Sequence, residues 1–252
     1  MRPHIPFLDT NKMEWTQMAP GRFVKLLSMD PVTQARTSIA LSDPTVEGFK
    51  AQPRPHYHYV DEEIFCLDGT FTFDGDNWFT KYSYVFYPAG VVHGHRSAVP
   101  VPYTMMGRST GPMTWTYLDD PAEPQPYARD EFDMLRPYTS ITDPDILNWP
   151  TELDFAWGGT ARILSQNLET GEGSALLRLP AGWRGPKAFH RNPYYREFMV
   201  LEGDVRFDDG QIYGPGCYSH APAGATIPRG RAEMDSLLYV SFGGPLSQLT
   251  PV

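Results

Sequence analysis

Two histidines separated by one residue, His56 and His58, are followed four positions later by the acidic pair Glu62 and Glu63, in the stretch PHYHYVDEEIFCLDG. Imidazoles and carboxylates are borderline-to-hard donors, so this grouping points to a divalent metal ion and the Lewis-acid or redox chemistry such an ion supports. Successive side chains of an extended strand point to opposite faces, so residues of one parity share a face. His56, His58 and Glu62 have the same parity as Ile64 and Cys66, whereas Tyr57, Tyr59 and Glu63 are expected to point the other way. A further ligand must come from another strand. In PAGVVHGH, Pro88 and Gly90 read as a tight turn, after which His93 re-enters an extended run and His95, two residues on, shares its facing. Four of the seven histidines therefore lie between residues 56 and 95. His95 has two readings. Facing inward, it could shuttle a proton near neutral pH, since its reference pKa is about 6.5; equally, it could orient a ligand or sit in water at the rim.

The elements that must hold these residues are short strands. Glycine and proline, 22 and 25 of 252 residues, punctuate the chain often, and runs such as RFVKLLSM, SIALS and SLLYVSFGG are strand-like, several alternating apolar with polar side chains. No long 3.6-residue stripe occurs, so the fold class expected is all-β. The chain also repeats itself. EEIFCLDGTFTFDGD from Glu62 resembles REFMVLEGDVRFDDG from Arg196, and the same offset of 134 residues aligns Pro88, Ala89 and Gly90 with Pro222, Ala223 and Gly224. Two copies of one β domain are expected, spanning 1–134 and 135–252. They are joined through a proline-rich linker, residues 119–150, in which RDEFDML could make a helical turn.

The pattern His-x-His, three residues, Glu, six residues, Gly, and later Pro-x-Gly-x-x-His resembles that of the cupins, which are small double-stranded β-helix (jelly-roll) barrels. It is complete here at His56, His58, Glu62, Gly69, Pro88, Gly90 and His93. With the repeat, the resemblance is to a bicupin, two tandem cupin barrels, and it implies that His56, His58, Glu62 and His93 are metal ligands. One position departs from the pattern: Tyr82 stands where a glycine often precedes the proline turn by six residues. In the second copy the ligand positions read His190, Asn192, Arg196 and Ile227, so only one of the four survives and that barrel is expected to be metal-free. Its bland role is to cover the first barrel. A sharper one is an anion pocket built from Arg196 and Arg229, the latter at the position of His95.

Composition narrows the function. The net charge is -9 with no basic run, which argues against nucleic acid as a partner. Neither a signal-peptide core nor a run near the roughly 20 apolar residues of a membrane span occurs, so no membrane association and a cytoplasmic location are expected. Cys66 and Cys217 read as buried small side chains. The expected cofactor is one divalent ion per chain, with Fe(II) favoured and Mn, Ni, Co or Zn compatible with the ligands. The resemblance implies a metal-dependent enzyme acting on a small organic molecule, most often a non-haem Fe(II) dioxygenase. The alternatives are a non-oxidative isomerase, lyase or cyclase using the metal as Lewis acid, with His95 as its base, and a non-catalytic ligand-binding protein. A homodimer is a further expectation.

Overall fold

The structure, a computed structural model, describes residues 1–51, 54–118, 135–142, 153–155, 159–185, 190–191, 193–208, 210–227, 229–246 and 250–251. Among them the strands pair antiparallel throughout, and the single helical element is a short 3-10 turn at Thr10–Lys12. The all-β expectation holds. Most of the linker, including nearly all of RDEFDML, lies outside the described residues.

Contacts divide the chain into two units, Glu14–Asn148 on the one hand and Met1–Met13 with Trp149–Val252 on the other. The division read from sequence at 134/135 differs from this at both ends. Residues 1–13 join the second unit because Ile5–Asp9 pairs with Cys217–Ala221, and residues 135–142 join the first because Thr139–Ile141 pairs with Tyr84–Tyr87. Edge strands expose unpaired N–H and C=O groups, and each arm satisfies one such edge.

The main sheet of the first unit has seven strands, in the order Thr139–Ile141, Tyr84–Tyr87, Glu62–Asp68, Tyr103–Ser109, Arg36–Ser42, Arg22–Met29, Thr16–Ala19. Smaller sheets pair His56–Tyr57 with Thr116–Tyr117 and Phe71–Thr72 with Trp78–Phe79. Ile64, Cys66, Phe71, Phe79, Val85, Tyr87 and Tyr103 form one buried core cluster, so Ile64 and Cys66 share the inner face, as parity requires. The second unit repeats the plan with the order Ile5–Asp9, Cys217–Ala221, Arg196–Glu202, Ser236–Phe242, Gly173–Leu179, Gly159–Gln166, Leu153–Phe155. Its core gathers Val200, Val205, Tyr213 and Leu238 around Trp183. Cys66 and Cys217 are both unpaired and buried, as expected.

Parity was right about which face Glu63 takes and wrong about what lies there. Glu63 is only 4% exposed, and Tyr57 is fully buried. The Glu63 carboxylate accepts from Arg108 at 2.6 Å, Arg136 at 2.9 Å and the Tyr84 hydroxyl at 3.1 Å. Alternation assigns a side chain to a face; whether that face meets water depends on what packs over it.

Tyr82 departs from the turn pattern at a backbone cost. Its φ is +71°, in the left-handed region, and the equivalent Gly216 has φ +82°. Tyrosine is retained there with its ring buried and stacked on Phe65 at 5.9 Å. Tyr82→Gly should relieve about 1 kcal/mol of backbone strain but lose about 2–3 kcal/mol of ring burial. Net destabilisation of about 1–2 kcal/mol in urea unfolding is therefore expected, and a stabilised variant would contradict it.

Candidate metal centre

The His-x-His segment is held from both sides. His56 and His93 form a reciprocal antiparallel bridge, each backbone N–H donating to the other's carbonyl at 2.9 Å. The Pro88–Gly90 turn is hooked onto the same segment: Gly90 N–H donates to the His58 carbonyl at 2.8 Å, and Ala89 N–H to Asp61 Oδ1 at 2.9 Å. That turn fixes the register in which His93 meets His56. Glu62 opens the strand Glu62–Asp68, on the face shared with Ile64.

One ring nitrogen from each of His56, His58 and His93 lies within 4.8 Å of the others. The Nδ1 atom of each ring contacts a backbone carbonyl: His56 that of Arg54 at 2.8 Å, His58 that of Thr114 at 2.7 Å, and His93 that of Val91 at 3.1 Å. A carbonyl only accepts, so each Nδ1 is the donor, and in the neutral ring Nε2 is then the nitrogen with the free lone pair. Nε2 of His58 and of His93 lie 3.4 and 3.3 Å from Glu62 Oε2, which is buried without a hydrogen-bond partner. An orphaned carboxylate oxygen beside imidazoles oriented in this way fits a divalent cation, which would satisfy all of them at once.

Without such an ion the groups perturb one another. Burial, then repulsion from His93, pushes His56 down to about 4. Burial also opposes charge on His58, but the adjoining Glu62 outweighs it and raises that imidazole. For Glu62 burial acts upward, and the two flanking histidines more than offset it, holding the carboxyl well below its usual range.

Aromatic rings enclose the cluster. Tyr87 stacks on His93 at 4.1 Å and 16°, with Phe73 behind at 6.1 Å. Trp115, 53% exposed, meets His58 edge-on at 5.6 Å, and Tyr117 lies 5.7 Å from His56 with the Arg54 guanidinium 4.0 Å over its face. Gly94 closes the back. Its φ is +82°, and a Cβ there would sit 2.7 Å from the His56 ring and 2.9 Å from the Arg54 carbonyl.

His56, His58, Glu62 and His93 are thus brought together. His95 is not: Gly94 turns the chain, the extended run ends, and His95 lies exposed in a turn rather than facing inward. Gly94, Tyr87, Trp115 and the Thr114 carbonyl were missed by the motif. Gly94 stands between the two histidines of VHGH, whereas the others act through tertiary contact.

In the second unit His190 pairs with Ile227 just as His56 pairs with His93, which preserves the repeat in backbone geometry. Asn192 and the side chains of His190 and Ile227 lie outside the described residues. Arg196, in place of Glu62, donates to the Leu246 carbonyl at 2.7 Å, and burial pushes its pKa down to about 10. Arg229 is exposed and pairs with Asp208 at 2.8 Å. The two guanidinium groups are engaged separately, and no anion site follows from them. Among the described residues, no second cluster of His, Cys, Asp or Glu groups three donors as the first does.

Residues 6–113 match the family model of the ChrR cupin-like domain, and residues 154–249 match a domain of unknown function, DUF4437. The first of these is a cupin-like domain, and the fold of the chain is that of two tandem cupin barrels, with the histidine cluster in the first. No curated protein matches it. Solved structures share the fold. A Nostoc punctiforme protein provisionally described as a dioxygenase has a TM-score of 0.77 at 21% identity, over 100% of this chain and 91% of its own. The salicylate 1,2-dioxygenase of Pseudoaminobacter salicylatoxidans has 0.58 at 15% identity, over 92% and 73%. Lactobacillus farciminis oxalate decarboxylase has 0.56 at 12% identity, over 98% and 88%.

Proposed function

We propose that this bicupin is a metal-dependent enzyme acting on a small organic molecule, of the non-haem Fe(II) dioxygenase type, with His56, His58, Glu62 and His93 as the ligands. The observation that carries this reading is the set of three imidazoles, each anchored through Nδ1 to a carbonyl, around an unpartnered Glu62 oxygen. Fe(II) bound there would supply Lewis acidity and a redox couple for O₂; Mn, Ni, Co and Zn suit the same donors without settling the reaction.

The chain's own residues supply the rest. Glu62 contributes one negative charge among otherwise neutral donors. The Nδ1 anchors fix the ring orientations, so little reorganisation is needed when substrate arrives. Tyr87 and Phe73 keep water from the His93 side. Trp115 offers an exposed ring at the rim, and the Arg54 guanidinium, stacked on Tyr117, offers a cation near His56, which favours a planar organic anion. Two buried unpaired cysteines, and the lack among the described residues of any helix long and apolar enough to cross a membrane, support a cytoplasmic setting as part of this proposal.

The test is to load the protein anaerobically with Fe(II), add ring-bearing hydroxy acids, and follow O₂ uptake beside proton exchange. Substrate-dependent O₂ uptake, absent in Glu62→Ala, is expected. Turnover that proceeds without oxygen would overturn the dioxygenase reading in favour of metal-assisted isomerase, lyase or cyclase chemistry.

A further inference from the structure

Each arm carries an arginine into the barrel it does not precede. Arg2 reaches Glu197 at 2.7 Å beside Tyr218, and Arg136 reaches Glu63 at 2.9 Å beside Tyr84. All three members of one cluster stand 134 residues from their counterparts in the other. The pairing registers agree as well: Ile5 opposes His220 as Thr139 opposes Phe86. The arms are therefore a repeated element, exchanged between the two copies, and the Arg–Glu–Tyr clasp survives in both.

A second feature of the arm does not survive in both. Tyr138 lies 5.5 Å from Tyr87, and Tyr87 stacks on His93. The matching positions in the second copy are His4 and Ala221, so this relay is missing there together with the ligand set. The clasp follows the architecture, and the aromatic relay follows the metal ligands.

We propose that Tyr138, delivered by the exchanged arm, is a positioning residue of the metal centre, acting through Tyr87 on the ring of His93. The inference rests on the metal reading above. Its physical basis is the uneven anchoring of the three imidazoles. The His93 Nδ1 contact, 3.1 Å, is the longest of the three, against 2.7 and 2.8 Å for His58 and His56. A weaker hydrogen bond leaves the ring freer to rotate about its Cβ–Cγ bond, and a flat ring held against it from behind removes that freedom. Tyr87 alone could lean away. Tyr138 packs against the Tyr87 ring, tilted 33° from it, and limits that movement.

The experiment is a Co(II) titration, read by the visible d–d spectrum, of the full-length wild type and of Tyr138→Ala, Tyr138→Phe and Arg2→Ala. Tyr138→Ala should weaken Co(II) binding by about tenfold or more and shift the bands, as loss of an outer support does. Tyr138→Phe keeps the ring and should restore both. Arg2→Ala loosens the other arm and should leave Co(II) binding at the wild-type level. If the alanine variant does not fold, Tyr138→Leu keeps apolar volume without the flat ring and decides in the same way. Wild-type affinity and spectrum in the alanine or leucine variant would overturn the proposal, as would equal weakening by Arg2→Ala or failure of the phenylalanine variant to restore binding. A wild type that takes up no Co(II) would instead bring down the metal reading, and this inference with it.

Discussion

Glu63→Ala is expected to destabilise the protein by about 3–5 kcal/mol, the cost typical of removing one partner of a buried ion pair. The carboxylate binds Arg108, Arg136 and Tyr84 together, and both arginine side chains are nearly buried, at 10% and 6% exposure. The Arg136 guanidinium also lies 3.9 Å over the Phe86 ring, so it is fixed by packing and cannot swing out to water cheaply. Removing the carboxylate takes away the negative charge that both guanidinium groups share. Because the cluster pins the arm 135–142, that arm should also become protease-sensitive. Urea unfolding and limited proteolysis measure the two effects, and a loss below about 1 kcal/mol, the range of an exposed pair, would show the cluster to be better solvated than its burial indicates.

Gly94→Val is expected to weaken metal binding by about 100-fold, at the upper end for outer-shell changes, while leaving the fold largely intact. Two independent obstacles meet at this position. The left-handed φ of +82° disfavours any β-branched residue, and a Cβ would stand 2.7–2.9 Å from His56 Cε1, His56 Nδ1 and the Arg54 carbonyl, closer than real contacts allow. The His56 ring has to tilt, and its Nδ1 bond to Arg54 is lost with the tilt. Gly94→Ala should show the same effect at smaller size. Isothermal titration with Zn(II) or Co(II) reads it; wild-type affinity in the valine variant would mean that His56 does not ligate the ion.

Much of this centre was legible in the sequence because a strand has period two. His56, His58 and Glu62 share parity, and the turn Pro88–Gly90 returns the chain so that His93 bridges His56. Parity ceases to inform once the chain stops being extended, so of the two readings of His95 the inward one fails, and the residue lies exposed after Gly94 as the rim reading has it. Nor does it reveal what covers a face: it gives Glu63 the correct side, but Arg136 packs there and buries it. The arms were missed for a different reason. Arg2-Pro3 and Arg136-Pro137, with Asp9 matching Asp143 and Trp15 matching Trp149, keep the 134-residue offset but are too sparse to register without the pairing that joins each arm to the other copy's barrel. A sequence is read in order along the chain, and an exchange of arms is a relation across it.

Whether the first barrel holds a metal ion is decided by elemental analysis of the purified protein after incubation with Fe(II), Mn(II), Co(II) or Zn(II) and gel filtration. About one ion per chain is predicted for the wild type with at least one of these metals, and essentially none for His58→Ala. A wild type that retains no ion, or a His58→Ala variant that retains a stoichiometric one, would show that these residues are not a metal centre.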